Sequence, residues 1–172
     1  MQKYTITALL ANKSGVLTRI SGLFARRCFN IESICACTTE DENFSRVTIV
    51  LSGDEHTLSQ TTKQLDKLID VKKITIAEEH DSIFRELLLV KVRATAEARG
   101  DLLNLRDIYK AKIVDLSPDT AILELTGEPS KLDGFLRVVQ PYGILEMART
   151  GVTALSRGEK CLNDLVDYNE MI

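Results

Sequence analysis

The sequence predicts an α+β protein built from two βαββαβ units in tandem. Segments with alternating apolar residues, typical of strands, take turns with segments in which apolar residues recur every three or four positions, as in helices. The same order of segments returns after about 80 residues, although the two halves share no obvious sequence identity. A polar junction, EEHDS at residues 78–82, separates the two cycles. We therefore place one domain at residues 1–78 and a second at residues 79–172, with a weakly patterned tail from about residue 160.

The first unit contains four predicted strands and two predicted helices. They are, in order, a strand at residues 3–11, a helix at 15–28, strands at 30–39 and 45–52, a helix after Asp54 and a strand at 71–77. Asp54 is an N-cap candidate because its carboxylate can accept a hydrogen bond from the first turn of a helix. The two helices carry apolar stripes, formed by Val16, Ile20, Leu23 and Phe24 in the first and by Leu58, Leu65, Leu68 and Ile69 in the second.

The second unit repeats this order. Its predicted elements are a strand at residues 83–94, a helix at 97–110, strands at 113–116 and 121–125, a helix that begins at Pro129 and a strand at 143–149. The first of its helices carries a stripe formed by Leu102, Leu105, Ile108 and Tyr109. A βαββαβ chain folds into a four-stranded antiparallel sheet with two helices on one face, so the sequence predicts two ferredoxin-like domains.

Composition and charge narrow the functional class. The chain has 172 residues, 44% hydrophobic content and a formal net charge of −3, with both signs interspersed. Such a chain is globular and offers no long-range attraction for nucleic acid or anionic lipid. It has no apolar run of the roughly 18 residues that a membrane span needs, and its N-terminus is too weakly apolar for a signal peptide. We expect a cytoplasmic protein, whose four irregularly spaced cysteines stay reduced.

The stretch LLANKSGVL, at residues 9–17, is the first candidate binding site. It places Asn12 and Gly15 where a strand passes into a helix. The start of a helix presents unpaired N–H groups and a partial positive charge, and a glycine there lets an anion such as an amino-acid carboxylate approach closely. Asn12 offers both a donor and an acceptor to a charged head group. The alternative is a simple cap, in which Asn12 or Ser14 caps the helix and Gly15 relieves a tight turn.

Asn30 and the strand that follows it add a second candidate feature. In this topology the strand at residues 30–39 lies at a sheet edge, and Glu32 is its only charged residue, with no Lys or Pro to discourage pairing. We therefore expect a symmetric dimer through the first unit. Such a dimer would bring the helix start of one copy close to Asn30 of the other and build one pocket from two chains.

Other kinds of site find less support. Cys35 and Cys37 share one face of a strand, but no second Cys pair or adjacent His completes a zinc site, so we expect buried thiols and no metal. No pair of nucleophile and base stands out, so we identify no catalytic residue. The sheet topology is shared with RNA-binding domains, but the strand SRVTIVL lacks their stacking aromatic residues and the chain is acidic.

Several ordered motifs carry a resemblance to a known family. The segments NKSGVL, GLFARR, FNIES, SRVTI and KQLDKLIDV resemble, in that order, the ACT domain of the small regulatory subunits of acetolactate synthase (acetohydroxyacid synthase). The later segments RELLLVKV, KLDGFL and ARTGVTALSRGEK resemble the second domain of that family, so the likeness runs from about residue 3 to residue 160. One departure is Cys28-Phe29, where relatives usually carry Gly-Tyr; a missing glycine can shift the turn that presents Asn30.

The resemblance implies a non-catalytic subunit in valine, leucine and isoleucine biosynthesis. Such a subunit binds the catalytic large subunit, raises its activity and in many members makes it sensitive to feedback inhibition by valine or another branched-chain amino acid. It implies no cofactor for this chain, since thiamine diphosphate, Mg²⁺ and FAD belong to the large subunit. The residues that match the family's effector site are Asn12, Gly15, Val16 and Leu17 of one chain with Asn30 and Ile31 of its dimer partner.

Two alternatives remain open from the sequence. The first is a free-standing amino-acid sensor with tandem ACT-like domains, which would act on a transcriptional or transport partner. The second is a small enzyme, which would need catalytic groups that the sequence does not reveal.

Overall fold

The computed structural model describes residues 2–162, and the predicted order of elements is confirmed. The first βαββαβ cycle consists of β1 (Gln2–Ala11), α1 (Val16–Arg26), β2 (Ile31–Thr38), β3 (Phe44–Gly53), α2 (Glu55–Asp66) and β4 (Val71–Ala77). The second consists of β5 (Ser82–Arg93), α3 (Ala98–Tyr109), β6 (Lys112–Leu116), β7 (Thr120–Gly127), α4 (Pro129–Val139), a short 3-10 helix (Gln140–Tyr142) and β8 (Ile144–Arg149). A ninth strand, β9 (Thr153–Ser156), was not predicted.

The first sheet is antiparallel, with the strand order β2-β3-β1-β4. β1 and β3 pair over their whole lengths, from Gln2 opposite Gly53 to Ala11 opposite Phe44. β2 pairs only with β3, so it forms one edge of this sheet, as predicted, and β4 forms the other. The edge position leaves the outer side of β2 available to a strand of a second chain.

The helices cover one face of the first sheet. Alternate residues of the central strands, such as Ile6, Leu10 and Ile49, are at most 1% exposed and face α1 and α2. The predicted stripe of α1 is confirmed, since all four of its apolar residues are buried. The apolar face of α1 therefore fixes this helix on the sheet and with it the position of the loop between Ala11 and Val16.

The second unit has the same arrangement, with β6-β7-β5-β8 as neighbouring strands. Its core is built from alternate residues of β5 and β7 and from the buried faces of α3 and α4. Phe135 of α4 is fully buried, and its ring lies 5.1 Å from that of Tyr109 at the end of α3. Pro129 occupies the first turn of α4, as predicted.

The division of the chain by packing differs from the expected division after residue 78. The first unit consists of two segments, one that ends at Ile83 and one that begins at Val152. The second unit comprises Phe84–Gly151. We call residues 152–162 the return segment. It contacts the face of the first sheet opposite the helices: Arg46 donates from Nη2 to the carbonyl oxygen of Ala154 at 2.9 Å, and Cys35 Sγ lies 3.4 Å from Thr153 Oγ1.

The burial expected for four side chains is wrong. Ile69 and Ile108 continue the helical apolar spacing, yet they are 87% and 72% exposed. α2 ends at Asp66, before Ile69, and Ile108 lies in the last turn of α3. Cys37 is exposed and Cys35 is only half-buried, because both lie on β2, which forms an edge of the sheet. The predicted tail lies outside the described residues from position 163 onward.

Candidate effector-binding site

Asn12 follows the last residue of β1 and is held by the turn between β2 and β3. Its backbone N–H donates to the carbonyl of Asn43 at 2.7 Å, and its side-chain Nδ2 donates to the carbonyl of Glu42 at 2.9 Å. Asp41 stabilises the turn itself by accepting two hydrogen bonds from Asn43, one from its backbone N–H and one from its side chain. This bond uses one of the two N–H groups of Nδ2 and fixes the orientation of the amide, so that Oδ1 is the acceptor that Asn12 can offer to a ligand.

Gly15 forms the entry to α1 in a conformation that favours glycine. Its φ of +81° confirms the tight turn at Gly15, but no side chain caps the helix, so the predicted alternative of a cap by Asn12 or Ser14 is wrong. Val16, the first residue of the helix, is buried, whereas Leu17 is 49% exposed. The N-terminus of α1 is thus accessible beside an exposed apolar side chain, as a site for an apolar amino acid requires.

A charged pair that sequence reasoning missed lies at the same place. Arg19, in the first turns of α1, donates from Nε to Asp70 Oδ2 at 2.9 Å, and its Nη2 lies 2.7 Å from the same oxygen. The two residues are 51 positions apart, since Arg19 lies in α1 and Asp70 lies just before β4. No local spacing therefore indicates their contact. The only sequence signal is the position of Arg19, four residues after Gly15, which is one helical turn.

α1 ends in a turn of the kind that glycine favours, although the residue at this position is Cys28. Cys28 has a φ of +55°, in the left-handed region. Its N–H donates to the carbonyl of Ala25 at 3.2 Å, and the N–H of Phe29 donates to that of Phe24 at 3.1 Å, which together make a Schellman motif. The rings of Phe24 and Phe29 pack edge to face at 6.1 Å and close it. The turn that presents Asn30 is therefore formed without glycine.

Asn30 and Ile31 lie at the opposite end of the sheet from Asn12. Ile31 pairs with Leu51, and Leu51 pairs with Tyr4, whereas Asn12 follows Ala11 at the other end of β1. Tyr4, which lies level with Ile31, and Ala11, which precedes Asn12, are seven residues apart along β1, or about 23 Å. Within one chain the structure therefore brings together four of the six predicted residues, Asn12, Gly15, Val16 and Leu17, and leaves Asn30 and Ile31 apart from them.

The β2 edge carries features that permit pairing with another strand. Ile34, in the middle of this edge, is 44% exposed. The one charged residue of β2, Glu32, forms an ion pair with Lys3 of β1 and accepts a hydrogen bond from Ser52. These hydrogen bonds, from Lys3 above all and from Ser52, lower the pKa of Glu32. Its charge is thus compensated within the chain and does not oppose an approaching strand.

The concave and charged features elsewhere do not coincide with the predicted site. An open groove of about 380 Å³ includes none of the six predicted residues and is lined by Leu9, Thr39, Glu40, Asp41, Phe44, Lys72 and Lys73. In the second unit the buried carboxylate of Glu86 pairs with Arg149, which also contacts Asp133 at 2.7 Å. Burial alone would lower the pKa of Arg149, but the hydrogen bonds from its guanidinium to these two carboxylates raise it. These three side chains form an ion network of the second unit that extends from the buried Glu86 to the exposed Asp133.

The described part of the chain has neither a metal-binding cluster nor a membrane-spanning helix. Among residues 2–162 no three His, Cys, Asp or Glu side chains are grouped so that they could hold a metal ion. None of the helices between these residues has the length and apolar character to cross a membrane.

Comparisons with known proteins agree with the geometry of both units. Residues 6–73 match the family described as the acetohydroxyacid synthase small subunit-like ACT domain, and residues 85–158 match the family described as the small subunit of acetolactate synthase. The acetolactate synthase small subunit of Mycolicibacterium smegmatis is 48% identical over 157 residues, which cover 91% of this chain and 92% of the relative. That of Haemophilus influenzae is 42% identical over 156 residues, or 90% and 96% of the two chains.

A solved structure supports the same assignment. The crystal structure of the acetolactate synthase small subunit from Thermotoga maritima superposes with a TM-score of 0.86 at 36% sequence identity and covers 93% of this chain and 100% of the other. Similarity of sequence and of fold thus extends over both units. The chain belongs to the acetolactate synthase small subunit family, and its first unit is an ACT domain.

Proposed function

We propose that this chain binds the catalytic large subunit of acetolactate synthase, raises its activity and makes it sensitive to feedback inhibition by a branched-chain amino acid, with valine as the first candidate. Membership of the small subunit family supports the partner. The observation that carries the effector site is the start of α1 at Gly15, which has no side-chain cap, next to the amide of Asn12. In this proposal the chain has no catalytic residues or cofactor of its own, and thiamine diphosphate, Mg²⁺ and FAD are bound by the large subunit.

The effector has a definite orientation in this site. Its carboxylate lies at the N-terminus of α1, where Gly15 has no side chain to obstruct it and the helix dipole favours an anion. Its ammonium donates to Oδ1, the acceptor of the Asn12 amide, whose orientation is set by the hydrogen bond from Nδ2 to Glu42. Its apolar side chain contacts Leu17, whose exposed surface is then covered. A methylene in an apolar pocket contributes only about 1–3 kcal/mol, so the preference among branched amino acids is modest.

Completion of the site requires a second copy of the chain. Asn30 and Ile31 lie about 23 Å along the strand direction from Asn12, too far to contact one small ligand from the same chain. A two-fold dimer formed through the β2 edges supplies these residues from the partner. The exposed Ile34 and the internally compensated Glu32 favour that edge as the interface.

The β2–β3 turn offers a route from the site to this interface. Asn12 holds the turn through two hydrogen bonds, and the turn leads directly into the end of β2 at Thr38. If the dimer has an activating and an inhibiting arrangement, an effector that binds at Asn12 with different affinity in the two shifts the ratio of their populations. The β2–β3 turn would carry this change to the interface. Binding in the micromolar to millimolar range releases about 4–8 kcal/mol, of which a typical coupling uses about 1–3 kcal/mol. We therefore expect partial inhibition.

Reconstitution with the large subunit of the same organism tests the proposal. Addition of the chain should raise acetolactate formation from pyruvate, and valine should then lower it. Asn12→Ala and Asn30→Ala should weaken the valine response but keep the activation, whereas Asn104→Ala, the same change at an exposed position of α3, should alter neither. Retention of full inhibition in both site variants would place the effector elsewhere.

Two further measurements separate this function from its alternatives. The chain alone, supplied with thiamine diphosphate, Mg²⁺ and pyruvate, should form no acetolactate; turnover by the isolated chain would identify it as an enzyme. Co-purification with a transcriptional or transport protein in place of the large subunit would favour a free-standing sensor.

A further inference from the structure

The guanidinium group of Arg19 is held in a fixed position beside the candidate site. Asp70 binds its Nε at 2.9 Å and its Nη2 at 2.7 Å. The backbone carbonyl of Asp70 in turn accepts the N–H of Ala11 at 2.7 Å, so the pair is tied to the last residue of β1, next to Asn12. The side chain of Asp70 is only 14% exposed, which keeps this anchor largely out of water.

The remaining nitrogen of Arg19, Nη1, faces Gly15. A Cβ atom built on Gly15 would lie 3.5 Å from Nη1. Within residues 2–162 the hydrogen bonds and ion pairs of Arg19 use Nε and Nη2, and none uses Nη1. One edge of the guanidinium is therefore directed over the bare Cα of Gly15, where the proposed carboxylate lies.

Within residues 2–162, Asp70 is the carboxylate that contacts Arg19, and it leaves the Nη1 edge open. The first turn of α1 contains no acidic residue, and no side chain caps the helix. α2 shows the opposite pattern, since Asp54 caps it by accepting the N–H of Thr57 at 2.8 Å and Glu55 lies in its first turn. The start of α1 therefore has no anion from its own first turn, and Asp70 binds the far side of the guanidinium. A ligand carboxylate there would meet both the positive end of the helix dipole and the open Nη1 edge.

We propose that Arg19 binds the carboxylate of the effector through Nη1, and that Asp70 is the positioning residue that directs Nη1 toward it. The inference rests on the proposed effector site. It makes the site selective for ligands with a free α-carboxylate over the corresponding amides, because an amide carries no charge for Nη1 to meet. Asn12 and Arg19 then recognise the two ends of one zwitterion.

Calorimetric titration of the full chain with valine and with valinamide tests this assignment. Arg19→Gln should weaken valine binding about tenfold and should change valinamide binding less than twofold. The expected loss is at the lower end for a charge-assisted hydrogen bond, because the Arg19 side chain is half-exposed. Arg19→Lys keeps the charge but loses the planar fork, so it should retain part of the preference for valine. Asp70→Asn should reduce the same preference and leave valinamide binding unchanged.

Arg26→Gln is the matched control. Arg26 lies on the same helix, and its Nη1 is 3.6 Å from a Cβ built on Gly22, the same geometry as at Gly15 but in the last turn. It should leave both affinities unchanged. An equal loss for valine and valinamide in Arg19→Gln, or no loss for either, would overturn the role of Arg19 while the effector site stands. Absence of valine binding by the wild-type chain would overturn the effector site and this inference together.

Discussion

Substitution of Cys28 by glycine should stabilise the first unit. Cys28 occupies the left-handed position of the Schellman motif with a φ of +55°. A residue with a Cβ is disfavoured there by about 1–2 kcal/mol, whereas glycine adopts this conformation freely. Glycine also gives the unfolded chain more freedom, which offsets about 0.4–1 kcal/mol of the gain. The net stabilisation should be about 0.5–1 kcal/mol, or about 1–4 °C in the melting temperature.

Chemical and thermal unfolding of the wild-type, Cys28→Gly and Cys28→Ala proteins distinguishes the effect of backbone conformation on stability from the effect of the thiol group. Alanine removes the exposed thiol but keeps the Cβ, so Cys28→Ala should lie within about 0.3 kcal/mol of the wild type. If glycine and alanine shift the transition equally, the backbone argument is refuted. Valine affinity should be the same in all three proteins, because the turn before Asn30 is already formed in the wild type.

Two other predictions concern charged groups. Arg149→Met leaves Glu86 buried without its cation and frees Asp133, so it should lower the free energy of unfolding in urea by about 3 kcal/mol; Arg85→Gln, which removes an exposed ion pair, should cost less than about 0.5 kcal/mol. The pKa of Asp54 is lowered by its hydrogen bonds from Thr57, so its contribution to stability is complete above the unfolded pKa of about 3.9 and is lost as the pH falls through the lower folded value. Asp54→Asn keeps a cap that does not titrate, and its urea midpoint should therefore fall less than that of the wild type between about pH 5 and pH 2.

The sequence predicts most elements of the fold because local chemistry determines them. The cap at Asp54, the proline at the start of α4 and the apolar stripe of α1 each act within one or two turns of their own position. Ile69 shows the limit of this reasoning. Apolar spacing continues past Asp66, but the helix does not, since spacing alone carries no information on where packing ends.

The candidate site was predictable where its residues are close in the sequence. Asn12 and Gly15 occur in one short motif, and their placement at the start of α1 follows from the order of strand and helix. The pair of Arg19 and Asp70 depends on how β1, α1 and β4 come together, which no local pattern reveals. The turn at Cys28 illustrates the opposite case, because the hydrogen bonds and the ring contact of Phe29 maintain a conformation that the residue type alone disfavours.

The return segment has a consequence for how the protein is made. The first unit is discontinuous, since residues 152–162 pack with the part of the chain that ends at Ile83. Translation at about 5–20 residues per second delays the return segment behind Ile83 by roughly 3–14 s. During that interval the nascent chain lacks the carbonyl of Ala154 that Arg46 binds, as well as the buried side chain of Val152. The ACT domain therefore leaves the ribosome before the second unit, but its contacts with the return segment form only after the second unit has emerged.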